Sequence, residues 1–410
     1  MKIEIHVLQN FAPSNLNRDD TGAPKDCELG GVRRARVSSQ CLKRAIREAF
    51  ETYALVPVDQ RAARTKRLVE RAAAIVAEKK SVSPEHAQKA VAAALAGAGL
   101  KADPDRDWKT QYLLFIPSRV VHQLADIATT HFDVLTADPE AIEGAAGETK
   151  SAKAKAKKVK ADAKDAVPRE VANSVEAILK DASRTPEVAL FGRMIADAPN
   201  WNVDAACQVA HAVSTHRVSM EFDFYTAIDD LKKDDTAGSD MMGTISFNSA
   251  CFYRYLVVDT DALAKNLGDD AAAKTQARET VAALLRAAVL AIPTGKQNSM
   301  AAHNLPSFVM VVVRDGAEPR SLTNAFVDPV RPKPGGAGDM VSQSIDKLGK
   351  HLAALEKVYG TKGRRDLSFF LVDESEELGK TFAENTGALD RGSLDKLVEA
   401  SLQVAFGGGA

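Results

Sequence analysis

The feature that most constrains the fold is the uneven distribution of strand-like and helix-like sequence along the chain. Residues 3–8 alternate between apolar and polar side chains, which is typical of a half-buried strand. Segments 307–313 and 367–372 also predict strands, and 244–258 predicts one long strand or a hairpin. Residues 51–180 instead combine Ala, Lys, Glu and Asp in a helical pattern. Strands far apart in sequence, with helices between them, predict an α+β sheet that carries a large helical insertion.

Further segments complete this interpretation of the chain. Residues 10–31 are rich in Asn, Asp, Gly and Pro and predict a long loop, which in a compact domain is usually functional or disordered. Residues 203–213 predict a helix, and 281–292 predict an apolar helix that ends at Pro293. Residues 151–164 are low in complexity and almost lack an apolar stripe, so we interpret them as a mobile loop or a solvated helix.

The strongest helix prediction begins at Ser38 or Ser39, either of which can cap the helix, and ends near residue 50. Apolar residues recur there at three- and four-residue spacing and form one stripe. The members of the stripe are Leu42, Ala45, Ile46, Ala49 and Phe50. Gln40, Lys43 and Arg47 fall together on a different face, near the N-terminal half, where a helix already favours anions.

Charge is distributed in patches, although the chain as a whole is almost neutral. The formal net charge is −1, so composition alone does not indicate a nucleic-acid partner. Residues 32–47 nevertheless contain six basic residues and no acidic one, and residues 150–160 contain six lysines without an acid. Because salt screens charges over about 8–10 Å, these local fields, rather than the total charge, would attract a polyanion.

Cysteine usage and hydropathy bear on the location of the protein. The four cysteines are scattered without a Cys-x-x-Cys pair, which favours reduced thiols over a disulfide framework or a cysteine zinc site. The first residues are charged, unlike a secretory leader, and no apolar run approaches the roughly 18–20 residues that span a bilayer. We therefore expect a cytoplasmic protein without a membrane partner.

Short motifs, well separated along the chain, form an unusual combination. They are LNRDD at 16–20, KD at 25–26, GGVRRARVSSQCLKRA at 30–45, GRM at 192–194, AHAVSTH at 210–216, FYTAIDDL at 224–231, FYRY at 252–255 and KQ at 296–297. In this order they closely resemble the CasC family, also called the Cas-seven group, which supplies the backbone subunit of type I-E CRISPR Cascade complexes. The resemblance covers most of the chain and is specific, because several separated blocks must coincide.

The resemblance implies a hand-shaped protein without catalytic residues, metal or cofactor. The palm would be a modified RRM-like (ferredoxin-like) sheet formed by residues 1–50 and 244–410. The fingers would be a helical insertion over 51–200, and the thumb a β-hairpin over 210–243. Copies of the chain, about six to a complex, would polymerise along the guide RNA (crRNA), while thumbs displace single bases and the remaining bases pair with target DNA in antiviral defence. The expected partners are crRNA, target DNA, further copies of the chain and the other Cascade subunits, with no small-molecule substrate.

The same resemblance implies roles for individual residues. The palm residues expected to contact the RNA backbone are Lys25, Ser38, Gln40, Lys43 and Arg47, with Arg18 as a further member. Met194 is expected to be the apolar wedge of the fingers beside the kinked nucleotide. The thumb residues expected to pack on displaced bases are Phe224, Tyr225 and Met242. The lysines of the fingers expected to guide duplex DNA are Lys153, Lys155, Lys157, Lys158 and Lys160.

These residue types suit a scaffold that must hold any guide sequence. Contacts from Lys, Arg, Gln and Ser to the sugar-phosphate backbone carry no base identity. Displacing a base from a strand costs stacking energy, and aromatic or apolar side chains can offset about 1–3 kcal/mol per base. The gains per copy are small, but polymerisation along one strand adds them together.

Structural alternatives remain open for each motif. The basic helix could present an ordinary solvated face, the lysine tract could be a disordered linker, Met194 could be a buried filler residue, and the thumb aromatics could form hairpin core. His211 and His216 could bind a metal, but no nearby Cys completes a ligand set. The PTGKQ sequence at 293–297 lacks the first Gly of a phosphate-binding loop and the Ser or Thr that should follow its Lys.

Two functional alternatives also remain. Related backbone subunits of type III complexes cut target RNA with an aspartate near the thumb, and here Asp229 or Asp230 would be the candidate in a metal-dependent reaction. Two adjacent carboxylates could hold Mg²⁺. The other alternative is a general single-strand coating protein that acts alone.

Overall fold

The computed structural model describes residues 1–137, 167–195, 199–227, 241–331, 339–372 and 376–407. The chain divides into two compact units. The first consists of residues 1–55, 207–264 and 274–410, and the second of residues 56–206 and 265–273. The lysine tract at 150–160, the low-complexity segment at 151–164 and the adjacent aspartates at 229–230 lie outside the described residues.

The elements of the described residues are numbered in chain order. The strands are β1 (Lys2–Ser14), β2 (Asp26–Leu29), β3 (Val32–Val37), β4 (Ala62–Thr65), β5 (Ala102–Asp103), β6 (Lys109–Thr110), β7 (Leu114–Pro117), β8 (Cys207–Val209), β9 (Ala212–Ser214), β10 (Glu221–Ala227), β11 (Met241–Asp259), β12 (Phe308–Arg314), β13 (Arg364–Leu371) and β14 (Leu389–Asp390). The helices are α1 (Ser39–Thr52), α2 (Leu68–Lys80), α3 (Pro84–Gly97), α4 (Ser118–Thr130), α5 (Phe132–Thr136), α6 (Arg169–Asp181), α7 (Pro186–Phe191), α8 (Thr260–Leu267), α9 (Ala271–Leu290), α10 (Gln297–Met300), α11 (Met340–Tyr359), α12 (Glu377–Thr386) and α13 (Leu394–Phe406).

The first unit is built around a sheet to which ten strands of the described residues belong. The strand order is β14-β13-β12-β1-β11-β9-β3-β2, and β8 and β10 also pair with β11. These neighbours are antiparallel except for the parallel pair β13–β14. Strand β11 pairs with β10 over residues 241–247 and with β1 over residues 248–259. One continuous strand therefore forms half of a hairpin and then enters the centre of the sheet.

Different helices cover the two faces of the central strand β1. Ile5 and Val7 line a small void together with Leu42 of α1. Leu8, on the opposite face, belongs to a buried cluster with Leu348 of α11 and with residues of β12 and β13. Helix α1 therefore lies on one face of the sheet, and its apolar stripe is buried there.

The strand predicted at residues 3–8 is confirmed, but it is buried on both faces rather than on one. Glu4 and His6, two of its polar side chains, have partners inside the protein. Glu4 forms an ion pair with Arg314, and its Oε2 accepts a hydrogen bond from the backbone N–H of Arg320 at 2.8 Å. His6 Nδ1 lies 2.9 Å from the hydroxyl of Tyr253. Such pairing lets a strand with alternating polar residues occupy the middle of a sheet without unpaired charge.

The second unit is mainly helical, as the composition of residues 51–180 predicts. Its core consists of apolar residues from α2, α3, α4 and α6, many of them alanines that are almost fully buried. Small side chains allow helix axes to approach closely. Two short antiparallel pairs, β4–β7 and β5–β6, accompany the helices. No helix of the described residues combines the length and the apolar character needed to cross a bilayer.

The α+β class is confirmed, as are the strands predicted at 307–313 and 367–372 and the helix predicted at 281–292. Residues 244–258 form one long strand, since they all lie in β11. The helix predicted at 203–213 is wrong: this segment contains β8 and β9, which pair with β11, and β9 also pairs with β3. Pairing with strands distant in sequence outweighs the helical propensity of its alanines.

The long loop predicted at 10–31 is wrong at residues 10–14 and 26–29, which are strands, whereas residues 15–25 form a connecting loop. Strand β1 continues to Ser14, and β2 forms a hairpin with β3. The two strands are joined by Gly30 and Gly31, which have φ values of 63° and 71°. Two consecutive residues with positive φ are the geometry of the commonest two-residue hairpin turn, which glycine adopts without strain.

Candidate nucleic-acid interface

The first turn of α1 is held in place by Ser38 and Asn17. Ser38 has extended backbone angles, and its Oγ accepts a hydrogen bond from the N–H of Cys41 at 3.3 Å, so it caps the helix. The N–H of Ser38 donates to Oδ1 of Asn17 at 2.9 Å. Ser38 is 6% exposed, so its visible role is structural, and its contact with RNA stays a prediction.

The basic residues of α1 lie beside the buried stripe. The predicted stripe is confirmed, since Leu42, Ala45, Ile46, Ala49 and Phe50 are the buried residues of this helix. Gln40 is exposed, whereas Lys43 and Arg47 are half-buried. Long basic side chains commonly pack their methylene groups against a surface while the charged end stays at its edge. The spacing of the three residues places them on one side of the helix, beginning in its first turn.

Lys25 reaches the same region through the backbone of the segment before β2. Its N–H donates to the carbonyl oxygen of Asn17 at 2.9 Å, and its own carbonyl oxygen accepts from the N–H of Arg36 at 2.9 Å. Asn17 therefore connects the two residues: its backbone carbonyl binds Lys25, and its side-chain oxygen binds Ser38. Arg36 also donates from Nε to the carbonyl oxygen of Asp26 at 3.1 Å.

The β2–β3 hairpin, which contains Arg36 and follows Lys25, packs against and is hydrogen-bonded to the backbone at residues 326–327. A Cβ atom at Gly30 would lie 2.2 Å from the carbonyl oxygen of Val327, so only glycine fits this approach. The guanidinium of Arg34 is fully buried and donates to the carbonyl oxygens of Ser214 at 3.1 Å, Phe326 at 2.7 Å and Val327 at 3.2 Å. Burial lowers the pKa of Arg34. Of the basic run 32–47, Arg34 thus serves the fold rather than a ligand.

His211, in the turn between β8 and β9, contacts the N-terminal end of α1. Its Nδ1 accepts a hydrogen bond from the N–H of Ser39 at 3.3 Å and lies 3.2 Å from Nη1 of Arg36. Burial, followed by the positive charges of Arg36 and Lys25, lowers the pKa of His211. From the sequence, His211 was considered only as a metal ligand. Its contact with Arg36, 175 positions earlier in the chain, has no local sequence signal.

The two histidines at 211 and 216 have separate structural roles, which explains their spacing without a metal. Nε2 of His216 accepts from the N–H of Cys251 at 3.1 Å, and its Nδ1 donates to the carbonyl oxygen of Arg217 at 2.8 Å. No group of three or more metal-ligating side chains comes together among the residues that the structure describes.

Arg18 lies on another flank of α1. It lines a cavity of about 460 Å³ whose other walls come from Cys41, Arg44 and Glu48 of α1 and from residues 293–295. Arg44 is ion-paired with Glu48 at 2.7 Å, so this flank carries little net charge. The structure thus brings Lys25 and Ser38 together with the Gln40 face and leaves Arg18 beside the cavity.

The PTGKQ segment forms part of the wall of this cavity rather than a phosphate loop. A Cβ atom at Gly295 would lie 2.3 Å from the carbonyl oxygen of Leu16. The side-chain amide of Gln297 donates to the carbonyl oxygen of Pro293 at 3.0 Å, so it closes its own turn.

The β10–β11 hairpin separates the predicted thumb residues onto two faces. Phe224 pairs with Thr244, and Met242 pairs with Thr226 two positions further along, so Phe224 and Met242 share a face. They are 63% and 66% exposed. Tyr225 lies on the other face, where its ring covers Gly243 so closely that an added Cβ would lie 2.5 Å from the ring.

Phe222 shares the face of Phe224 and Met242 and was absent from the predicted set. It lies two residues before Phe224 and is 70% exposed. Residues two apart in a strand point to the same side. The spacing of the two phenylalanines was therefore a usable signal, once the segment was assigned to a strand.

Met194 follows two residues that fix its backbone at the surface. Gly192 has a φ of 79° and would clash with the carbonyl oxygen of Val203 if it carried a Cβ. The buried side chain of Arg193 donates to the carbonyl oxygen of Trp201 at 2.9 Å, and burial lowers its pKa to about 10. Met194 then projects to solvent with 85% of its surface exposed. The structure thus excludes the alternative of a buried filler residue.

The chain is similar to a known protein family and to subunits of solved complexes. A family model described as CT1975-like protein matches residues 3–400. A chain of a structure titled "CRISPR RNA-guided surveillance complex, pre-nicking" is 30% identical, with a TM-score of 0.78 over 98% of this chain and 100% of that one. A chain of a "CRISPR RNA-guided surveillance complex" is 26% identical, with a TM-score of 0.70 over 99% of this chain and 100% of that one. No curated protein sequence matches significantly.

The fold and the surface define a class of α+β proteins with a large, mainly antiparallel sheet. Basic residues surround the start of helix α1, and the β10–β11 hairpin carries exposed apolar side chains. The chain belongs to the CT1975-like family, whose model spans nearly all of it. The resemblance of the sequence to Cas-seven backbone subunits of Cascade is thereby confirmed.

Proposed function

We propose that this chain is a non-catalytic backbone subunit of a type I-E Cascade complex and binds crRNA without reading its sequence. The observation that carries the proposal is the assembly of Lys25, Arg36, Gln40 and Lys43 around the start of α1, where the segment before β2, strand β3 and the first turn of the helix meet. The titles of the two similar structures, which describe those proteins as RNA-guided, point to the same partner.

The chemistry of this surface suits the sugar-phosphate backbone. Lys25, Arg36 and Lys43 offer positive charge, and Gln40 offers amide hydrogen bonds. No acidic residue occurs between positions 32 and 47, although Asp26 and Glu48 beside this run pair with its Arg33 and Arg44. Phosphate contacts fix the register of a strand but discriminate poorly between bases, which is the property that a scaffold for arbitrary guides needs.

The proposal includes the other parts of the hand. The RRM-like palm would consist of residues 1–50 and 244–410, the thumb of 210–243 and the fingers of 51–200, so that the palm and thumb would lie mostly in the first unit and the fingers mostly in the second. Phe224, Tyr225 and Met242, all exposed, would pack on displaced bases, and exposed Met194 would be the apolar wedge of the fingers beside the kinked nucleotide. About six copies would polymerise along one crRNA together with the other Cascade subunits in the cytoplasm, and the lysine tract would guide target DNA.

The test is RNA binding by the full chain. Single-stranded RNAs of unrelated sequence should bind with equal affinity, and the affinity should fall steeply with salt because phosphate contacts release counterions. Co-expression with the genomic neighbours should yield a complex with several different proteins and RNA of uniform length, which would exclude a coating protein that acts alone. Sequence-dependent binding, or no binding, would contradict the proposal.

The same preparation distinguishes a scaffold from an RNA-cleaving subunit. Incubation with complementary RNA and Mg²⁺ should leave the RNA intact. Cleavage at regular intervals that disappears on substitution of Asp229 or Asp230 would establish the type III alternative instead.

A further inference from the structure

The hydrogen bonds of His211 determine which of its ring nitrogens carries the proton. Both groups close to Nδ1 are obligatory donors: the backbone N–H of Ser39 at 3.3 Å and the guanidinium of Arg36 at 3.2 Å. Nδ1 must therefore be the unprotonated acceptor. The proton of the neutral ring is then on Nε2, at the edge of the imidazole away from Ser39 and Arg36.

The surroundings of His211 keep the ring neutral. The charged groups that act on it are Arg36 of β3 and Lys25, which precedes β2, and both are positive. Helix α1 contributes a backbone donor at this point, which a second proton on Nδ1 would displace. Burial acts in the same direction, and together these effects lower the pKa of His211 below its ordinary value of 6.5.

The Nε2–H group of His211 is available to a ligand. His211 is an exposed residue, and no acceptor for Nε2–H is found among the residues that the structure describes. Two cations stand beside a neutral donor here, so the natural ligand is an anion with several acceptor oxygens. A carboxylate or phosphate satisfies this chemistry, and on an RNA-binding surface the phosphodiester is the group that recurs along the strand.

We propose that His211 forms a subsite for one phosphodiester of the RNA, to which the neutral imidazole donates from Nε2 in the positive field of Lys25 and Arg36. The inference rests on the proposed function and adds a residue outside the sequence-predicted set. His211 has two tasks in this arrangement: Nδ1 ties the β8–β9 turn to the start of α1, and Nε2–H contacts the phosphate.

Two substitutions of the full-length protein separate these tasks. His211→Asn places an amide oxygen near the position of Nδ1 and keeps an acceptor for Ser39 and Arg36, but it has no group at the position of Nε2. His211→Gln places an amide NH₂ near the position of Nε2 and loses the acceptor. Affinity for a single-stranded RNA of mixed sequence should fall about 3- to 10-fold in H211N, the loss expected for one hydrogen bond, and should recover towards wild type in H211Q.

The salt dependence shows whether His211 acts as a neutral donor. A neutral donor releases no counterion, so the slope of log affinity against log salt should be the same in wild type and H211N at about pH 7.5, whereas Lys25→Ala should reduce it by about 0.7. If His211 bound as an imidazolium, wild-type affinity would rise between about pH 7.5 and 6, and H211N would have the shallower slope. That result would overturn the proposal.

Spectroscopy and competition complete the test. Spectra of ¹⁵N-histidine-labelled protein should show the Nε2–H form of His211 before RNA is added and a shift of Nε2 on binding. Inorganic phosphate added alone should give the same shift only if the subsite accepts free phosphate as well as a strand. Unchanged affinity of H211N, with RNA binding by wild type intact, would refute the subsite alone. Failure of the wild-type protein to bind RNA would refute the proposed function.

Discussion

Replacing Lys43 and Arg47 together by alanine should weaken RNA binding equally for unrelated RNA sequences and flatten its dependence on salt. Both residues lie on the side of α1 that begins at Gln40, next to the buried stripe. Neither belongs to the stripe itself, so the helix should remain folded. If they contact phosphates, each substitution removes one counterion-releasing contact.

The expected magnitude follows from the number of charges removed. Each phosphate contact to single-stranded nucleic acid contributes about 0.7 to the slope of log affinity against log salt, so the double variant should lose about 1.4. Over a fourfold increase in salt, from about 50 to about 200 mM, the deficit of the variant relative to wild type should therefore shrink by about 7-fold. An effect of this size is well above the error of a titration.

The assay is an anisotropy titration of two RNAs of unrelated sequence at several salt concentrations. Arg44→Ala is the matched control, because it removes a cation from the same helix on the flank that faces the cavity. Arg44 is already ion-paired with Glu48 at 2.7 Å, and its loss should leave the slope close to wild type. The reasoning fails if the double variant keeps the wild-type slope, if the loss is confined to one RNA, or if R44A behaves like the double variant.

Other predictions address the fingers, the hairpin and pH. Arg193→Met leaves buried carbonyl oxygens without their charged donor, so it should lower the free energy of unfolding by about 2 kcal/mol in urea titrations. Phe224→Ala should change thermal stability little, because the ring is 63% exposed, yet weaken RNA binding by about 1–3 kcal/mol for each base it stacks on. Burial lowers the pKa of His216 below 6.5, and its Nε2 must stay unprotonated to accept from Cys251. Stability from the neutral ring is complete above pH 6.5 and is lost as pH falls through the lowered folded pKa, so the urea midpoint should drop on acidification, and less so in H216Q.

The parts of the fold that depend on local sequence were predictable. Helix α1 follows from the spacing of Leu42, Ala45, Ile46, Ala49 and Phe50, and its start follows from the capping ability of Ser38. The strands at 307–313 and 367–372 follow from runs of β-branched and aromatic residues. In each case the signal lies within the element itself.

The errors arose where structure depends on distant partners. Residues 203–213 contain alanines that favour a helix, but Cys207 pairs with Val258 and Val213 pairs with both Tyr253 and Arg36. Nothing within the segment reveals these partners. The β2–β3 hairpin is different, because two glycines between strand-like residues are a recognised turn signal, and the polar composition of 10–31 obscured it.

The candidate site divides in the same way. The common face of Gln40, Lys43 and Arg47 was predictable from helical periodicity. The contributions of Arg36 and His211 were not, because the contact between them joins residues 175 positions apart. The partition of the thumb residues onto two faces required the strand register, which the sequence does not supply.

The turn at Gly30 and the buried guanidinium of Arg34 fasten the β2–β3 hairpin to the backbone at residues 326–327. The hairpin is therefore not a flap that must close on its ligand, and the cations it carries are preorganised. Ordering a mobile residue costs about 1–2 kcal/mol of conformational entropy, which a fixed hairpin has already lost on folding. In the proposed complex, each copy would therefore bind the RNA with cations already in position, and less of the favourable contact energy would be lost to ordering the hairpin.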